Sequence, residues 1–186
     1  AGVDPHVWLD PVRFAGMGRS LATALGDPSS ADDLVARLDA LDAELAAGLE
    51  TCERREIVTS HAAFGYLADR YDLTQIALTG LSPDSQPSPK EIESLVEAVR
   101  AEGATTVFFE TLVSSDLAET VAREAGASTA VLDPLEGLTA EQVDDGAGVL
   151  AVADVVAVAR GRAGGRHLPR GRPAGTRLAV RRAGVV

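Results

Sequence analysis

Three side chains of metal-ligand type sit at places in this chain where chemistry is commonly done. His6 lies in Asp-Pro-His-Val-Trp-Leu-Asp-Pro, and His61 follows Ser60 in Ser-His-Ala-Ala-Phe-Gly-Tyr-Leu. Asp133 stands in Val-Leu-Asp-Pro-Leu. Two neutral imidazoles and one carboxylate form a borderline donor set that suits zinc or a neighbouring transition metal. The chain has only three histidines, and the third, His167, falls in an Arg-rich stretch with no such setting.

These residues need elements to position them. From residue 56 onward, short β-rich runs at 56–60, 75–79, 105–109 and 128–132 alternate with helical patterns at 62–71, 89–102 and 115–125. Such alternation predicts an α/β fold with a parallel sheet covered on both faces. Open sheets of this kind bind ligands beyond the carboxyl ends of their strands. His61, Glu110 and Asp133 each follow a predicted strand, so all three fall at that edge. His6 comes from outside the sheet, in a segment held extended by Pro5 and Pro11, and can close the site from the other side. Each residue taken alone also has a plainer reading. A lone His is more often a packing residue, Asp133 before Pro134 suits a turn, and Glu110 suits a cap. Trp8, Phe64 and Cys52 read as packing residues.

Upstream, a helical pattern runs over 12–25, with Phe14, Met17, Leu21 and Leu25 as its apolar stripe and Gly26 placed to end it. A second covers 31–49, with leucines at 34, 38, 41, 45 and 49, Ser30 as N-cap, and Asp32 and Asp33 at the positive end of the dipole. Its narrow stripe suits a coiled-coil seam or a helix packed on one lobe. Ser88-Pro89-Lys90-Glu91 and Thr139-Ala-Glu-Gln142 each predict a helix start with a capping box.

Charge narrows the function classes. Residues 1–159 hold 9 Lys/Arg against all 28 Asp/Glu, a net −19, which argues against nucleic-acid binding by the main body. Residues 160–186 hold 8 Arg and no acid, a composition that cannot bury a core; it reads as disordered or as a reading-frame slip. A basic arm for nucleic acid is the alternative, and its binding would be salt-sensitive. One cysteine excludes an internal disulfide and a Cys-based zinc cluster. The chain opens at Ala1 inside a motif, so it reads as part of a longer protein with any export leader upstream.

The segments Asp-Pro-His6-Val-Trp-Leu-Asp-Pro, Thr-Ser-His61-Ala-Ala-Phe-Gly-Tyr-Leu, Pro87-Ser-Pro-Lys-Glu-Ile and Val-Leu-Asp133-Pro-Leu, in this order, resemble the zinc/manganese solute-binding proteins of bacterial ABC transporters. The likeness covers residues 1 to about 148. It implies two α/β lobes joined by one long helix. Residues 1–29 would end the N-terminal lobe, 30–50 form the linking helix, 51–148 form the C-terminal metal-binding lobe, and 149–186 remain an atypical tail. It further implies that His6, His61 and Asp133 ligate the metal, with Glu110 an outer partner or alternative ligand. Zn2+ is favoured over Mn2+, because family members with a carboxylate at the place of His61 tend to be manganese-type.

The implied partner is an ABC permease. The implied location is extracytoplasmic, in a periplasm or held at the surface by an upstream lipid anchor, and the implied state is a monomer. With the family's first His absent, three ligands remain where zinc prefers four, which predicts weak binding with water in the fourth position. Two alternatives stand beside metal uptake. One is a surface adhesin of the same family; the other is a zinc hydrolase with Glu110 as general base, although the chain has neither His-Glu-x-x-His nor Gly-x-Ser-x-Gly.

Overall fold

A parallel four-stranded sheet, in the order β2-β1-β3-β4, forms the centre of the computed structural model, which describes residues 3–81, 87–110 and 114–137. The strands are β1 (Glu56–Thr59), β2 (Thr74–Ala77), β3 (Thr106–Phe109) and β4 (Ser128–Val131). Helices α3 (Gly65–Arg70), α4 (Pro89–Ala101) and α5 (Asp116–Ala125) connect them in turn, so the alternation of patterns becomes an α/β lobe as expected. The capping box at 139–142, the unclassified run 149–158 and the Arg-rich tail lie outside the described residues.

Side-chain alternation explains why both faces are covered. Successive residues of a strand point to opposite faces. Ile57 of β1 and Phe108 of β3 enter one cluster with Leu9, Leu45, Phe64 and Leu67. Their neighbours Val58 and Val107 enter a second cluster with Val96, Val99 and Val121 from α4 and α5. Helix α4 begins as expected: Ser88 N donates to Glu91 Oε2 (2.7 Å) and Glu91 N donates back to Ser88 Oγ, with Pro89 at the first helical position.

Helix α2 (Asp32–Leu49) places Leu38, Leu41, Leu45 and Leu49 in the first cluster, so its stripe packs into this lobe. Ser30 does not cap it. A 3-10 turn over Pro28–Ala31 feeds straight into the helix, and Ser30 Oγ donates instead to the Asp27 carbonyl (2.7 Å).

Helix α1 (Pro11–Ala24) departs further from its expected pattern. Phe14 packs against the first cluster as expected, but Met17, Leu21 and Leu25 are 48, 62 and 75% exposed, whereas Ala15 and Ala22 are buried. The helix approaches α2 through small residues: a Cβ added at Gly18 would stand 3.2 Å from Leu34 Cδ2. Close backbone approach, rather than the bulk of side chains, selected the buried face. Gly26 ends the element at φ +80°, where a side chain would be strained.

Asp10 ties α1 to α3. Its Oδ1 caps α1, accepting from Val12 N (3.0 Å) and Arg13 N (3.1 Å), with Pro11 next in sequence. Arg70, the last residue of α3, grips both carboxylate oxygens at 2.9–3.1 Å, and Arg13 Nε adds a contact at 3.1 Å. Burial would raise the Asp10 carboxyl, but these hydrogen bonds and the Arg70 charge outweigh it and hold it below its ordinary value of 3.8.

A carboxyl with a depressed folded pKa contributes stability above its unfolded pKa and loses it as pH falls through the folded one. Urea denaturation at neutral pH should show Asp10→Ala destabilised by about 2–4 kcal/mol, from loss of the cap and of charge-assisted bonds. Asp10→Asn should flatten the decline of stability below about pH 4.

Candidate metal centre

The sheet order reverses between β1 and β3, and the ends of these two adjacent strands carry His61 and Glu110. His61 is 1% exposed and Glu110 3%. The His61 carbonyl accepts from Thr59 Oγ1 (2.8 Å) and Gln75 Nε2 (3.0 Å), which fixes its backbone at the strand end. Glu110 Oε1 lies 2.6 Å from His61 Nδ1 and accepts from Ser60 Oγ (2.7 Å). Glu110 therefore holds the outer nitrogen of the ring and leaves Nε2 pointing away from it.

His6 is buried and held in the same manner. A single oxygen, Asp4 Oδ1, accepts from His6 N (3.0 Å) and lies 2.6 Å from His6 Nδ1. Beyond His6 the chain turns into a short 3-10 segment, Val7–Leu9. The two imidazoles meet edge to face with centroids 5.3 Å apart.

The loop after β4 completes the group, but with Glu136 rather than Asp133. Ligand-type atoms of His6, His61 and Glu136 all lie within 4.8 Å of one another. Glu136 Oε1 is 2.6 Å from His6 Nε2 and 3.4 Å from His61 Nε2. Asp133 is not a member of this group. Its Oδ1 accepts from Leu135 N (2.8 Å), the local turn that an Asp before Pro134 suits. Leu135 adopts φ +61°, a left-handed conformation that turns the chain just before Glu136. Sequence reading missed Glu136 and Asp4. Glu136 is the other acid of the same strand-end loop, and Asp4 stands at the i−2 spacing from which a carboxylate reaches a backbone N–H.

His61 Nε2 is buried with no hydrogen-bond partner among the described residues. An unsatisfied polar atom in such a setting calls for a ligand. Burial would lower the His61 pKa, but the carboxylates of Glu110 and Glu136 outweigh it and hold the ring above its ordinary value. A tetrahedral shell with bonds of about 2.0 Å has edges of about 3.3 Å, comparable to the 3.4 Å between His61 Nε2 and Glu136 Oε1. The closer His6–Glu136 pair shares a hydrogen bond that a cation would replace, releasing the proton.

Comparison with known proteins converges on one family. The family described as "ZnuA: Zinc-uptake complex component A periplasmic" matches residues 1–147. The chain belongs to this family. The zinc-binding protein AdcA of Streptococcus pyogenes serotype M1 is 40% identical over 152 residues, covering 77% of this chain and 30% of that protein. The high-affinity zinc uptake system protein ZnuA of Bacillus subtilis is 36% identical over 157 residues, covering 80% and 49%. The chain thus spans about a third to a half of these relatives' length. The Zn(II)-bound ZnuA-like domain of Streptococcus pneumoniae AdcA superposes with a TM-score of 0.66 at 38% identity, over 84% of this chain and 62% of that one. The laminin-binding protein Lmb of Streptococcus agalactiae, described as having adhesin and metal-transporting activity, gives 0.70 at 28%, over 82% and 63%.

The geometry separates the two loop carboxylates by experiment. Glu136→Ala should weaken divalent-metal binding by about tenfold or more, as loss of a ligating or supporting group does. Asp133→Ala should act chiefly through the loop and weaken it less. Competition with a chromogenic chelator measures both.

Proposed function

We propose that this ZnuA-family chain is the metal-capturing part of an extracytoplasmic receptor that binds zinc and delivers it to an ABC permease. The observation that carries the reading is the convergence of two sealed imidazole nitrogens on the Glu136 carboxylate, with one of those nitrogens otherwise unpartnered. His6, His61 and Glu136 would hold the cation, with Asp4 and Glu110 behind the rings raising their basicity. Imidazole donors favour zinc over manganese, which prefers oxygen. The names and Zn(II)-bound state of relatives support the same cargo.

In this reading residues 1–29 end an N-terminal lobe, 30–50 link it to the lobe described here, and the metal sits between the lobes. The exposed Met17, Leu21 and Leu25 face of α1 would turn towards the first lobe. Among the described residues no helix is long and apolar enough to cross a membrane. The proposed receptor is a monomer, located in a periplasm or attached by an upstream lipid anchor.

A receptor fits the site better than a hydrolase does. Hydrolysis needs a base aimed at a metal-bound water. Glu110 stands behind His61, on Nδ1, so the imidazole ring separates it from the Nε2 side where a metal would lie. A second reading, adhesion alongside uptake, draws on the adhesin activity stated for Lmb.

Isothermal titration of the 186-residue chain should give zinc binding at about micromolar strength, because three protein ligands leave a position to water. Manganese should bind more weakly, and His61→Ala should abolish measurable zinc binding. Nanomolar affinity would contradict the three-ligand shell, and undiminished binding by His61→Ala would refute the site.

A further inference from the structure

Glu136 differs from its companions in two respects. His6 and His61 side chains are 1% exposed, whereas that of Glu136 is 29% exposed. The carboxylate is therefore the member of the trio least enclosed by the described residues. The loop carrying it is also strained, since Leu135 holds a left-handed φ of +61° without being glycine. A loop in that state keeps its carboxylate aimed only if something ties it down. Leu132 and Leu135 seat the loop on the first core cluster and His6 Nε2 meets Glu136 directly at 2.6 Å, while the Asp133–Leu135 bond is internal to the loop.

Trp8 supplies an external tie. Its indole Nε1 donates to the Pro134 carbonyl at 2.8 Å, joining a residue two positions after His6 to one two positions before Glu136. The same ring stands edge-on to His6, with centroids 5.4 Å apart at 62°, and packs against the first core cluster. The side chain is thus anchored on one side by apolar packing and aimed on the other at the loop. Packing alone needs an indole-sized ring, and the bond to Pro134 needs the N–H as well.

We propose that Trp8 is a positioning residue for metal retention: its indole N–H latches the Glu136 loop to the His6 segment and so slows release of the bound cation. The inference rests on the reading of His6, His61 and Glu136 as ligands. With the latch made, Glu136 stays within reach of both imidazoles. With it broken, the Glu136 end of the loop is held less firmly against His6 and the cation leaves sooner.

The test is release of Zn2+ from the 186-residue chain into excess chelator, followed by stopped-flow absorbance of the chelator. Trp8→Phe keeps an aromatic ring and removes the donor. Trp8→benzothienylalanine keeps the ring outline almost unchanged and removes only the N–H. Both should release zinc about tenfold faster, the loss expected for one buried hydrogen bond, and both should lower the stability of the metal-free chain slightly and alike, since the bond is present there too. Release at the wild-type rate from both variants overturns the latch. Faster release from Trp8→Phe with the wild-type rate from Trp8→benzothienylalanine assigns Trp8 to packing and overturns it as well. His61→Ala run in parallel keeps the two ideas apart. If it retains zinc, the ligand assignment itself falls; if it loses zinc while Trp8 variants release normally, only the latch does.

Discussion

The structure depends on keeping two imidazole rings in one orientation inside an apolar surround. Each ring has two nitrogens, and a shared metal site needs one from each ring directed at the same space. Asp4 engages Nδ1 of His6 and Glu110 engages Nδ1 of His61, each at 2.6 Å. A carboxylate on one nitrogen fixes the tautomer and the ring's rotation together. Both Nε2 atoms then face the same space, where Glu136 waits. The local architecture serves this arrangement. Adjacent strands β1 and β3 set His61 and Glu110 side by side, and α3 meets the opposite segment through Tyr66 Oη, which donates to the Asp4 carbonyl at 3.3 Å. Gly65 leaves room there, since a Cβ would come within 3.1 Å of Asp4 Oδ2.

What the sequence disclosed follows from which interactions are local or periodic. Short β-rich runs alternating with helical patterns form a local signal, so the parallel sheet with helices on both faces was legible. The Ser88–Glu91 box was legible because its partners are three residues apart. Helix α1 misled because large apolar side chains were taken to mark its buried face. Its contacts use Ala15, Gly18 and Ala22, residues whose smallness carries no hydropathy signal. Ser30 misled because a capping residue cannot be told from one inside a 3-10 turn by type alone.

The site itself was legible in part, for a related reason. His61 and Glu110 are tied to strand ends, so identifying the strands located them. The loop after β4 has two acids, and strand position cannot choose between Asp133 and Glu136. Backbone geometry brings Glu136 beside the imidazoles: Asp133 Oδ1 accepts from Leu135 N, and the left-handed Leu135 turns the chain just before Glu136. A left-handed leucine is an uncommon conformation that no pattern of residue types foretells. Asp4 was hidden differently. Its effect on His6 is local, but its importance appears only once His6 is seen to be sealed and in need of an outer partner.

Energy gives the empty and loaded states different characters. A buried nitrogen without a partner, such as His61 Nε2, costs about 1–3 kcal/mol relative to one that is satisfied. Glu136 Oε1 at 3.4 Å meets that need only in part, and a cation bound to Nε2 would meet it fully. The His6–Glu136 hydrogen bond works against this by satisfying two of the three donors in the absence of metal, and it must be broken on loading. The two effects oppose each other: the nitrogen of His61 favours loading, whereas the His6–Glu136 bond gives the carboxylate a partner when no cation is there.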